Sequence, residues 1–113
     1  MPNTEGNLVA FHDVRNVEAI EILKTSSDHG WKNLFAYTAR LQPFNSVFQP
    51  VDSLLVAMVL KGHLQGAWQI GGELSELYLQ PGSIIVIPPD ESLKVSINSN
   101  AEVINIYISK LSN

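Results

Sequence analysis

Three histidines are the only strong metal-ligand or general-base candidates in this 113-residue chain, which has no cysteine. Thiol nucleophiles, zinc–thiolate sites and disulfides are therefore excluded. A metal site needs donors that converge within about 2.0–2.3 Å of one ion. His12, His29 and His63 are too scattered for that, and no two share one strand face at i, i+2 spacing. The sequence places His12 beside an N-terminal tail and His29 in a polar turn, both facing solvent, and His63 at a strand edge. The expectation is no metal and no cofactor. No serine sits in a nucleophile elbow or beside a histidine. Acid–base chemistry needs less: one histidine or a tyrosine–carboxylate pair suffices. Tyr37, Tyr78, Tyr107, Glu76 and His63 could supply it. The competing reading packs the tyrosine rings in a wall and leaves their hydroxyls at its rim, and the sequence favours it. No catalytic residue is assigned.

A binding pocket suits these residues better. Aromatic walls with a few polar groups make a general small-molecule site. The ligand-binding candidates are Trp31, Tyr37, Trp68 and Tyr107, with Gln65, Gln69 and Asn105 as hydrogen-bonding groups. Strand alternation forbids all of them from facing one interior, because Trp68 lies opposite Gln65 and Gln69 on one strand.

The elements that must position these residues are short strands. From Trp31 to Leu41 the chain alternates, with Phe35, Tyr37, Ala39 and Leu41 on one face. Residues 42–50 read as a loop between Pro43 and Pro50, its Phe44 and Phe48 folding back over a barrel mouth. Residues 53–60 are apolar at nearly every position, which reads as a central strand buried on both sides. Residues 63–70 and 73–79 alternate around Gly71-Gly72, a pair expected at positive φ in a hairpin turn. Ser83–Ile87 reads as a short buried strand, Leu93–Ile97 as another, and Val103–Ser109 closes the sheet. Residues 8–24 are ambiguous: Val17, Ile20 and Leu23 fit helical spacing, but residues 19–24 lean to strand. Residues 1–7 read as a flexible tail and residues 8–113 as a single domain. Short strands with turn signals at near-regular spacing predict an all-β fold, a sandwich or small barrel.

Composition fits. Apolar residues make up 45% and charged residues 16% of the chain, so it can fold around a core. The net charge is −4 and the basic residues are scattered singly. Nucleic-acid binding needs grouped Lys and Arg, so none is expected. The polar N-terminus lacks a signal-peptide core, and the apolar run Leu54–Leu60 is too short to span a membrane. The expectation is a cytoplasmic protein with no membrane contact. So little charge for this size fits a covered surface and equally a β-barrel that is simply lean in charge. A homodimer is expected, through the second face of residues 63–70 or an edge strand at residues 19–24.

The stretch Leu79-Gln80-Pro81-Gly82-Ser83-Ile84-Ile85-Val86-Ile87-Pro88-Pro89-Asp90-Glu91 resembles the second conserved segment of cupins. With Leu60-Lys61-Gly62, the hairpin and the closing Val103–Ser109 strand, the chain from Trp31 to Ser109 resembles the N-terminal sensor domain of AraC-type transcription regulators. That resemblance implies a cupin-like double-stranded β-helix, a jelly-roll barrel. It also implies a domain that senses a small-molecule effector or pairs subunits, with DNA bound by a separate half that this chain lacks. The chain departs from the cupin metal pattern. His63 is followed by Leu64 and Gln65, so there is no His-x-His pair. No downstream Glu completes a site, and Leu93 stands where a late histidine is common. A stand-alone metal-independent cupin isomerase or epimerase is the alternative, and a ligand-free dimer module a third reading.

Overall fold

The computed structural model describes residues 9–29 and 32–109. Among these residues nine strands account for the fold: β1 (Ile20–Thr25), β2 (Leu34–Leu41), β3 (Phe44–Phe48), β4 (Leu54–Gly62), β5 (Leu64–Ile70), β6 (Glu73–Leu79), β7 (Ile84–Ile87), β8 (Leu93–Ile97) and β9 (Ala101–Ile108). They form two facing antiparallel sheets, a five-stranded one in the order β1-β2-β9-β4-β7 and a four-stranded one in the order β3-β8-β5-β6. Two facing sheets in these strand orders form a jelly roll. No helix among the described residues is long and apolar enough to cross a membrane.

Alternation builds the core between the sheets. Phe35, Tyr37, Ala39 and Leu41 of β2 face Leu64, Leu77, Leu93 and Ile97 of the other sheet, and all are buried. β9 is the backbone of the larger sheet. It pairs along its full length with β2 on one side and β4 on the other, so that Tyr107 lies between Phe35 and Leu55, and Asn105 between Tyr37 and Ala57.

Three expectations about the strands need correction. Phe44–Phe48 is not a loop but strand β3, paired with β8 from Phe44↔Ile97 to Phe48↔Leu93. Pro43 and Pro50 flank this five-residue strand rather than break it, and its own period of two places Phe44 and Phe48 inward. The hairpin turn needs only one positive φ: Gly71 has φ 65°, and Gly72 is not in that region. With Ile70 paired to Glu73, this is the type II′ pattern, in which only the first central residue takes the left-handed conformation. Finally, β4 and β7 are buried on one face only. Ile84 and Val86 are 58% and 52% exposed.

The outer face of the five-stranded sheet is nonetheless apolar. Three registered rows cross it: Thr38–Ile104–Met58–Ile84, Ala36–Ile106–Val56–Val86 and Leu34–Ile108–Leu54. Leu60, the extra residue at a bulge in β4, adds to it.

One end of the barrel is closed by the segment before β1. Val9, His12 and Val14 are buried. The Phe11 ring packs on Phe35 at 4.6 Å between centroids, and the His12 ring lies 5.7 Å from Phe48 and 5.5 Å from Tyr107. The segment thus touches β2 and β9 of one sheet and β3 of the other. The Ser53 hydroxyl donates a hydrogen bond to the Ala10 carbonyl and anchors it. Phe44 and Phe48 were expected to cover the mouth; the segment holding His12 does so instead.

Candidate functional site

A cavity of about 90 Å³ lies between the sheets beneath this segment. Its wall is mostly aliphatic, including Leu41, Leu55, Ile87, Leu93 and Val103, with Trp68 from the smaller sheet. Four polar side chains reach it: His12, Tyr37, Asn105 and Tyr107. Among the described residues no Asp, Glu, Lys or Arg lines it.

The sheet register assembles the polar group. Tyr37 and Asn105 are direct cross-strand partners on β2 and β9, and the Asn105 side-chain amide donates to the Tyr37 hydroxyl at 2.9 Å. Tyr107 follows Asn105 by two residues and so faces the same way. Its ring lies nearly parallel to that of Tyr37, with centroids 6.2 Å apart. His12 Nδ1 and the Tyr107 hydroxyl share a hydrogen bond of 2.9 Å, across 95 residues of chain. The result is a row of uncharged polar groups, Asn105–Tyr37–Tyr107–His12, inside an apolar barrel.

Burial keeps the row uncharged. It pushes the Tyr107 hydroxyl far above the ordinary tyrosine value, and the neighbouring Tyr37 pushes it further. Tyr37 is raised mainly by burial, with its hydrogen bonds to Asn105 and Tyr107 acting the other way. Burial lowers His12 below 6.5. At neutral pH both tyrosines are phenols and His12 is a neutral imidazole. The site therefore offers neutral donors and acceptors, and no phenolate base.

Of the four ligand-binding candidates, the structure brings Tyr37, Trp68 and Tyr107 to one cavity. Trp31 lies outside the described residues. Asn105 joins them, whereas Gln65 and Gln69 point to the opposite face of β5, as alternation requires. Tyr78 is 59% exposed on β6, and Glu76 is exposed beside it, so neither reaches the interior. His63 is exposed and its ring lies near Tyr78 at 5.8 Å. His12 corrects the sequence reading most: it is 4% exposed, not a solvent-facing tail residue. The signal was the apolar run Leu8–Phe11 directly before it, with Val14 after. A run of that kind is a candidate for packing against a core.

A cupin metal does not fit this interior. Leu93 is buried in the cavity wall. Among the described residues no three His, Asp or Glu side chains come together. The donors that do converge are phenols, an amide and one imidazole.

No protein-family model matches the chain. No curated protein matches it either. Solved structures do. The EutQ protein of Clostridium difficile is similar over 86% of this chain and 74% of its own, at TM-score 0.62 and 17% identity. A cupin protein from Bacteroides fragilis is similar over 80% of each chain, at TM-score 0.60 and 19% identity. Hydroxypropylphosphonic acid epoxidase from S. wedmorenis is similar over 82% of this chain and 52% of its own, at TM-score 0.60 and 12% identity. At such identities the likeness establishes the fold alone, a cupin-like jelly roll.

Proposed function

We propose that this domain is a metal-independent cupin sensor. Its interior takes a small uncharged molecule, and the segment Val9–Val14 reports the occupancy to the DNA-binding half of an AraC-type regulator in the cytoplasm. One observation carries this reading: a buried row of neutral polar groups lines an apolar cavity, and one of its members, His12, belongs to the segment that closes the barrel.

The chemistry of the wall selects the ligand. An ionised carboxylate or ammonium would find no counter-charge there, and burying a bare charge is expensive. A molecule with an apolar body and one or two neutral hydrogen-bonding groups suits the wall and the phenols. Size supplies the coupling. A dry cavity of about 150 Å³ accepts benzene, so 90 Å³ admits only a molecule of a few heavy atoms. A ring-sized ligand must displace His12. Such a ligand binds the open arrangement better than the closed one and shifts the population accordingly. The isomerase reading has less support, because the phenols stay protonated and leave His12 as the single base.

A set of neutral fragments, titrated against protein carrying ¹³C-labelled methyl groups, tests the site. At least one fragment is expected to shift Leu55 and Val103 methyls, and more weakly so in Tyr37→Phe. A set that leaves every interior methyl unmoved overturns the proposal. Reading the gene downstream of codon 113 tests the regulator half: two helix-turn-helix patterns in a basic region support it, and an immediate stop codon rejects it.

A further inference from the structure

We infer that the outer face of the five-stranded sheet is the surface through which two copies of this chain pair. This is independent of the interior site. The expected alternatives were the second face of β5 and the edge at β1. The second face of β5 belongs to a sheet that also presents Glu76 and Lys94, whereas the centre of the larger sheet carries no charge at all. Met58, Val56, Ile104 and Ile106 stand at that centre, bounded by Ile84 and Val86.

Area is sufficient. The five strands hold 35 residues, and at about 3.4 Å rise and 4.8 Å spacing they cover roughly 570 Å² before side-chain relief. A standard interface takes about 800 Å² of accessible surface from each partner. An apolar centre with a polar rim is also how such interfaces are composed.

The rim argues for a second copy over an unlike partner. At one end of the face the register sets Glu21, Arg40, Glu102 and Lys61 side by side, alternating in sign. Glu21 and Arg40 pair with each other at 3.1 Å. Among the described residues, Glu102 and Lys61 form no ion pair within the chain. A two-fold axis in the interface, parallel to the strands and between β9 and β4, exchanges those two strands. It therefore sets Glu102 of each copy opposite Lys61 of the other. Sheets packed in this aligned manner lie about 10 Å apart, within reach of both side chains.

Sedimentation tests this pairing. The wild-type chain at about 100 μM is expected at twice 12.5 kDa. Val56→Glu is expected to sediment as a monomer with an unchanged circular dichroism spectrum. Glu102→Lys and Lys61→Glu each set like charges opposite one another twice, and each is expected to weaken the dimer by at least about tenfold. The two together are expected to restore it, which holds the inference to account even if Val56→Glu fails to fold. A wild-type species at 12.5 kDa, a dimer that survives Val56→Glu, or single reversals without effect overturn it.

Discussion

Replacing Tyr107 with phenylalanine removes one oxygen from the barrel and leaves the ring, its packing and the strand unchanged. That oxygen is the partner of His12 Nδ1 at 2.9 Å. Tyr107 is 1% and His12 4% exposed, so water does not replace the lost bond without the segment moving. A buried polar atom left without a partner costs about 1–3 kcal/mol. Unfolding entropy of about 2.1 cal/mol/K per residue makes each kcal/mol worth about 4 °C in a chain of 113 residues. The thermal midpoint of Tyr107→Phe is therefore expected about 4–12 °C below wild type. His12→Leu leaves the Tyr107 hydroxyl its interaction with Tyr37, so it is expected to cost less, about 1 kcal/mol. The double variant leaves no orphan on either side. Its cost is expected to fall short of the sum of the singles by about 1 kcal/mol. Thermal and urea unfolding followed by circular dichroism give all four corners of the cycle. Additive singles, or a Tyr107→Phe protein as stable as wild type, would refute the idea that this hydrogen bond holds the mouth segment.

Stability should depend on pH through His12. Its folded value is lowered below 6.5, so the unfolded chain binds the proton more readily. Full stability is expected above pH 6.5 and a decline as pH falls from there toward the lowered folded value; urea midpoints should show this slope in wild type and a shallower one in His12→Leu. The hairpin distinguishes its two glycines. Gly71→Val is expected to lose about 1–2 kcal/mol because a β-branched residue is strained at φ 65°, whereas Gly72→Ala meets open space and should unfold with wild type. Gly66→Ala is expected to cost about 3 kcal/mol, since a methyl group there would overlap the Ser96 carbonyl of β8; an unchanged midpoint would count against the β5–β8 register. Duplex DNA titrated at low salt should show no binding to this domain, whose basic residues are dispersed; salt-sensitive micromolar binding would contradict that.

Much of the strand layout was legible because glycine and proline punctuate it and alternation is clean. Glu73–Leu79 and Leu93–Ile97 are bounded in the structure as the sequence bounds them. β3 was not legible, since two prolines a few residues apart look like a loop even when they bracket a strand. The both-sided burial of β4 and β7 was misread for a deeper reason. An apolar outer face looks the same in sequence whether the chain itself covers it or leaves it for a partner. The site was half legible. Alternation places Tyr37, Tyr107 and Asn105 on inward faces, and their meeting follows from the pairing of β2 with β9. His12 was not legible, because its partner lies 95 residues away and no local period links an irregular segment to the barrel it closes.

The segment carrying His12 closes the proposed interior ligand site. Hydrogen exchange by mass spectrometry, with and without a saturating ring-sized neutral fragment, tests it most directly. Faster exchange is expected across Val9–Val14 on binding, as the segment leaves the mouth, with slower exchange in the β4 and β9 amides that frame the cavity. A bound fragment that leaves Val9–Val14 as protected as before, with slowing confined to strands away from β4 and β9, would contradict it.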